Sequence, residues 1–143
     1  MLKRLLTALV LGAPAVAWAE EPVTTLYDGS FDDATFAVES AIIGQGLVID
    51  YVSHVGDMLS RTRADVGSDT VIFEQADIFV FCSAVVSREV MEADPMNIAH
   101  CPYGIFVAER DGQVMIGRRD YPAGPMDRVE ALLDAIIEDA GDS

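Results

Sequence analysis

Apolar and polar positions change period several times along the chain, and the changes mark its elements. Phe31, Ala34, Val38, Ala41 and Ile42 recur at helical spacing, which predicts an amphipathic helix over Phe31–Ile43. Ser30 stands at the N-cap with Asp33 three residues on, the spacing of a capping box, and Gly44 and Gly46 end the helix. Before it, "TTLYDGS" (Thr24–Ser30) reads as a short strand running into a turn. After it, "LVIDYVSHV" is β-branched and aromatic and reads as a second strand. Asp57 is placed to cap a short helix through Val66, ended by Gly67. "TVIFEQADIFVFC" reads as a strand broken near Gln75–Asp77, and "SAVVSREVMEA" as a helix stopped by Pro95. "YGIFVAE", "RDGQ" and "VMIGRRD" make a Tyr103–Glu109/Val114–Arg119 hairpin, because Asp111-Gly112 suits the positive φ angles of a type I′ turn. Met126, Val129, Leu132, Leu133, Ile136, Ile137 and Ala140 mark a closing amphipathic helix, with Val129, Leu133, Ile136 and Ile137 turned to the sheet.

The order is therefore β-α-β-(α)-β-α-β-β-α. Its one clear hairpin is antiparallel, and its helices are not spaced as regular crossovers. Both features favour an α+β fold, a curved antiparallel sheet with helices on one face.

The start of the chain changes the picture of where the protein works. "MLKR" is basic, "LLTALVLGAPAV" is apolar, and "AWA" at Ala17–Ala19 fits a small-x-small cleavage pattern, the three parts of a secretory signal peptide. The apolar run is shorter than the ~20 residues a spanning helix needs. No later segment is long and apolar enough to span a membrane. The expectation is a signal peptide over 1–19, one domain over 20–143, and a periplasmic or secreted protein.

Charge narrows the partners. Removing Lys3 and Arg4 leaves seven arginines, no lysine, and takes the formal net charge from −15 to −17. Such a surface repels phosphate backbones and anionic lipid, so nucleic acid is not a partner.

Little else looks like chemistry. There is no Gly-rich phosphate loop and no nucleophile elbow, since "GQG" at Gly44–Gly46 leads into a strand. His54 lies late in a strand and reads as structural. His100 and Cys101 are adjacent, and neighbours in an extended strand face opposite ways, which counts against one shared metal. Cys82, Cys101, Met91 and Met96 are four soft sulfurs of the kind that suit Cu(I), with His100 the further metal candidate, yet no C-x-x-C or H-x-x-x-H spacing supports a site. Arg118 and Arg119 could hold an anion; in so acidic a chain, pairing with its own carboxylates is favoured.

"FCSAVVSREVMEADPMNIAHCPYGIFVAE" resembles the domain of unknown function 302 family, in particular a bacterial subgroup, through Phe81-Cys82-Ser83, Ala93-Asp94-Pro95, Asn97 and Cys101-Pro102-Tyr103. The likeness runs from the first helix to "IGRRDYP". It implies a β-α-β(4)-α fold of the TATA-binding-protein-like type, often a homodimer, with no established activity and no assigned catalytic residue. The chain departs from the commoner G-N-P form of the turn after the central strand by carrying Cys82-Ser83-Ala84.

Two function classes stand against each other. The first is a non-enzymatic accessory module of the cell envelope binding a small apolar ligand, with Phe73, Phe79, Phe81, Tyr103, Phe106 and Tyr121 as candidate lining between sheet and helix. The second is a thiol-redox or copper-handling protein using Cys82 and Cys101. A hydrolase or isomerase lacks a recognisable constellation, and no cofactor is implied. The exported setting predicts a Cys82–Cys101 disulfide. That bridge would close a loop of about twenty residues and stabilise by roughly 3 kcal/mol. Cys82 directly precedes a helix, so a redox-active pair stays open as the alternative.

Overall fold

The computed structural model describes residues 21–142, and the signal peptide expected over 1–19 lies outside the described residues. Its elements follow the expected order. β1 (Val23–Tyr27) leads to α1 (Phe31–Gly44), β2 (Val48–Ser53) and α2 (Val55–Thr62). Then come β3 (Gln75–Cys82), α3 (Ala84–Ala93), a 3-10 helix (Pro95–His100), β4 (Tyr103–Arg110), β5 (Gln113–Arg118) and α4 (Asp127–Gly141).

Local chemistry sets most of these boundaries. At α1 the Ser30 Oγ accepts from Asp33 N at 3.1 Å, and Asp33 Oδ2 accepts from Ser30 N at 3.3 Å, a complete capping box. The Ser30 hydroxyl and then its backbone N–H hold the Asp33 carboxyl below the usual range. Ser83 caps α3 through Val86 N, and Asp94 caps the 3-10 helix through Met96 N at 2.9 Å. Asp111 and Gly112 have φ angles of 53° and 72°, the pair that joins β4 to β5.

Two boundaries differ from the sequence pattern. The second helix starts at Val55 and ends at Thr62, so Val55 is not in the strand and Asp57 is not the cap. His54 occupies the cap position with its ring turned to Asp77 instead, while Asp57 sits in the first turn, where a carboxylate suits the helix dipole. The third strand starts at Gln75, leaving 70–74 outside it. It runs unbroken through Gln75–Asp77, all paired with β4, where the sequence pattern predicts a break, and the Glu74 N–H still donates to Glu109 O at 2.9 Å, so the pairing ends within a residue of the β4–β5 turn.

The five strands form one antiparallel sheet in the order β1-β5-β4-β3-β2, open at both edges. Phe79 and Phe81 of β3, Tyr103, Ile105 and Val107 of β4, and Val114 and Ile116 of β5 point to one face and are buried there. α1, α3 and α4 cover that face with Phe31, Val38, Ile42, Val86, Val90, Val129, Leu133 and Ile136, all in the same core. Leu133 is 0 % exposed.

Arg118 ties this core together. It lies on the covered face, 5 % exposed. It donates through Nε and Nη2 to the two Asp134 oxygens at 2.6 and 2.9 Å, and through Nη1 to Glu130 at 2.9 Å and Arg119 O at 3.1 Å. Asp134 and Glu130 are one turn apart on α4, so a single guanidinium fixes the helix to the last strand. Bonding to Asp134 raises its pKa further, against the opposing effect of burial.

Leu133→Ala is expected to lower the unfolding free energy by about 2–5 kcal/mol, and Ser30→Ala by about 1 kcal/mol, in equilibrium chemical denaturation. A Leu133→Ala change of a few tenths of a kcal/mol would place that side chain outside the core.

Candidate functional site

Strand alternation gives the sheet a second face, turned away from α1, α3 and α4. Thr24 and Leu26 of β1, Met115 and Gly117 of β5, Phe106 and Ala108 of β4, and Ile78 and Val80 of β3 follow from the register. Val48 and Tyr51 of β2 join them, since the register shift between Ile49 and Tyr51 lets Ile49 and Val52 pack on the core while Tyr51 faces away. The face is apolar and open toward its edge strands, where Leu26 is 67 % exposed, Val48 76 % and Tyr51 58 %, while Val80 and Ala108 at its centre are buried. Its floor is low where β4 and β5 carry glycine. A Cβ at Gly117 would fall 2.4 Å from Phe106 Cζ, so the Phe106 ring lies across that position. At Gly104 the Ile78 side chain closes in over the backbone, its Cγ2 3.3 Å from where a Cβ would stand. The result is a groove of about 460 Å³ lined by Pro22, Tyr51, Ser53, Ile78, Val80, Ala99, Cys101, Pro102, Tyr103, Gly104, Phe106 and Arg119. Arg119 is the only charged side chain in that lining, and it is exposed.

The two cysteines meet at the end of this groove. Phe81 pairs with Tyr103 in the β3–β4 ladder, so the residues just beyond that pair, Cys82 and Cys101, come together. Their sulfurs are 2.9 Å apart. Both are free thiols here, and the expected disulfide is not formed, since a bond needs about 2.05 Å. Partial burial first, then the hydrogen bond and charge of Cys101 and the Asp50 carboxylate, push Cys82 up to about 11; the Tyr103 backbone N–H opposes them. At the start of α3 the Ser83 hydroxyl takes the N–H of Val86, and the thiol is raised, not lowered, beside that helix start. Ser87 stands behind the pair, its Oγ 4.0 Å from Cys101 Sγ and donating to Tyr103 Oη at 3.1 Å.

A sequence model described as "Domain of unknown function DUF302" matches residues 23–139. The chain belongs to the DUF302 family. The fold of a crystal structure of an uncharacterized conserved DUF302 protein from Bacillus stearothermophilus is similar, with a TM-score of 0.61 at 15 % identity over 85 % of this chain and 95 % of that one. No curated protein matches the chain.

In this DUF302 chain the aromatic residues expected to line a pocket under the helix separate into three places. Phe79, Phe81 and Tyr121 fill the core, and Tyr103 is core with one edge at the groove. Phe106 lies on the bare face. Phe73 lies apart, in a recess of about 260 Å³ between α2 and the 63–74 connection. The space between sheet and helices is thus occupied, and the groove is on the opposite face. Tyr121 is packed edge-on between His100 and Tyr103, with centroids 5.8 and 6.4 Å away. Its hydroxyl has no hydrogen-bond partner among the described residues, and burial raises it to about 12. Among the described residues no three His, Cys, Asp or Glu side chains converge to hold a metal. Met96 is exposed and Met91 packs partly on the core. Arg118 is engaged with Asp134 and Glu130, which leaves Arg119 at the groove.

Sequence reasoning missed the His54–Asp77 pair, Nδ1 to Oδ1 at 2.7 Å. It depends on Ser53 meeting Ile78 in the ladder and on Gly56, where a Cβ would strike the backbone N of Ala76 at 2.5 Å. The signal in the sequence is only a glycine at the second position of a short helix.

Site-resolved alkylation should find Cys82 about tenfold slower at pH 8 than an ordinary exposed thiol, because its thiolate is scarcer by two pH units while its nucleophilicity is greater. The rate should climb until about pH 11. Cys101→Ser should speed Cys82 by removing the sulfur hydrogen bond and charge; a slower Cys82 in that variant would contradict the assigned cause.

Proposed function

We propose that this DUF302 protein is an exported, non-enzymatic module that holds a small apolar ligand with one acidic end on the bare face of its sheet. One observation carries this: a groove of about 460 Å³ with an apolar floor on the sheet face turned away from α1, α3 and α4. Burial of Tyr51, Ile78 and Phe106 against an apolar ligand supplies the driving force, at about 25 cal/mol per Å² removed from water. Arg119 is the single cation of the lining, and in so acidic a protein it marks where an anionic group is accepted rather than repelled. Export is supported by the basic start, apolar run and Ala17–Ala19 cleavage pattern.

The homodimer implied by the family resemblance competes for the same face. High negative charge opposes self-association elsewhere, and Leu26, Val48 and Tyr51 offer an apolar contact. Light scattering that shows only monomer at high micromolar concentration leaves the face to a ligand. A second functional reading, thiol redox or copper handling by Cys82 and Cys101, is favoured by the 2.9 Å sulfur contact. Thiol counting on denatured protein taken from its own envelope checks the staple, which two free thiols would remove; if a bridge is present, easy reduction favours the redox reading and resistance to mild reductant a structural one.

Fluorescence titration separates the parts of the site. Gly104→Val fills the groove floor and should weaken both N-phenyl-1-naphthylamine and 8-anilino-1-naphthalenesulfonate by about tenfold, or 1.4 kcal/mol. Arg119→Gln should weaken only the sulfonate. Unchanged affinity for both probes in Gly104→Val would remove the groove as the binding site.

A further inference from the structure

Cys82 and Cys101 stand where a change in sulfur chemistry reaches the groove. Cys101 is part of the groove wall, at the point where the 3-10 helix gives way to β4. That helix buries none of its residues. Asn97 Nδ2 donates to Val90 O at 2.8 Å, and Met96 N donates to the Asp94 carboxylate at 2.9 Å. Met96 and Ile98 face solvent. Cys82, by contrast, ends a strand that is paired on both sides. The sulfur contact joins a firmly held element to a lightly held one.

We propose that Cys82 and Cys101 are a reversible dithiol–disulfide couple that sets the groove wall, the disulfide state holding the Pro95–His100 helix against the end of β3 and tightening the grip on an apolar ligand. The effect on ligand rests on the bare face being a binding site; the couple itself does not. The oxidant is a disulfide, RSSR, carried by a small molecule or a protein. The exposed Cys82 sulfur gives its proton to solvent and attacks one sulfur of RSSR. The RS–SR bond breaks, and the first thiolate leaves and takes up a proton. Cys101 Sγ then attacks the Cys82 sulfur of the mixed disulfide, loses its own proton, and releases the second thiol. Two protein thiols are oxidised, one external disulfide is reduced to two thiols, and the protons balance. The second step is intramolecular between sulfurs already 2.9 Å apart, which favours closure over a lasting mixed disulfide. A wall fixed before the ligand arrives spares the ordering cost of binding, which gives the sign of the effect.

The test equilibrates the purified protein in buffers of oxidised and reduced glutathione and traps its thiols by alkylation. N-phenyl-1-naphthylamine binding and amide hydrogen exchange over 96–101 are then measured in both end states. Expected are a single transition between two free thiols and none, no accumulating glutathione adduct, slower exchange over 96–101 when oxidised, and a probe Kd about threefold lower. Cys82→Ser cannot close the bridge, so mass spectrometry should find its Cys101 either free or carrying glutathione, and the slowed exchange over 96–101 should be absent. Two free thiols persisting in excess oxidised glutathione, or equal exchange in the two end states, overturns the proposal. Probe binding in neither state removes the groove alone, and the exchange comparison still decides the couple.

Discussion

A pleated strand sends alternate side chains to opposite faces, so covering one face of a five-stranded sheet with α1, α3 and α4 leaves every second strand residue on the other side. In most one-sided antiparallel sheets that other side is polar. Here β3 and β4 are apolar on both faces, with Phe79, Phe81, Ile105 and Val107 toward the helices and Ile78, Val80 and Phe106 on the other side, where Val80 is itself buried. The covered side is packed and stapled by Arg118 to α4. The bare side keeps apolar surface that folding does not use, and the rest of the functional account follows from that surplus.

The same ladder that separates the faces also brings the sulfurs together. Because Phe81 meets Tyr103, the residues beyond that pair converge at the sheet's end, where the groove has its wall. Cys82 keeps its proton up to about 11, and its partner is 2.9 Å away. A thiol in that state is a slow nucleophile with a ready resolving sulfur, which suits a stable two-state element better than rapid turnover.

How much of this the sequence shows depends on contrast. The Phe31 helix, the Asp111-Gly112 turn and the Met126–Ala140 helix are legible because apolar and polar positions differ sharply there, and Val129, Leu133, Ile136 and Ile137 are buried as their spacing demands. The side of the sheet that holds the groove is not legible, because "DIFVFC" and "YGIFVAE" are apolar at both parities, so alternation cannot say which set meets the helices. The start of the short second helix is misplaced by three residues because Asp57 looks like a cap, whereas the cap position falls to His54, whose ring is held by Asp77, a partner that only the strand register supplies. Nearness of Cys82 and Cys101 follows from two strand ends; their bonding state does not, since it is set by the redox setting as well as by geometry.

The central claim is that ligand sits on the bare face and not between sheet and helices. Intermolecular nuclear Overhauser contacts between bound N-phenyl-1-naphthylamine and the side chains of the labelled protein test it most directly. The account predicts contacts to Tyr51, Ile78, Val80 and Phe106 and none to Leu133, Ile136 or Phe79. Contacts to Leu133 and Phe79, with silence from Ile78 and Phe106, would contradict it.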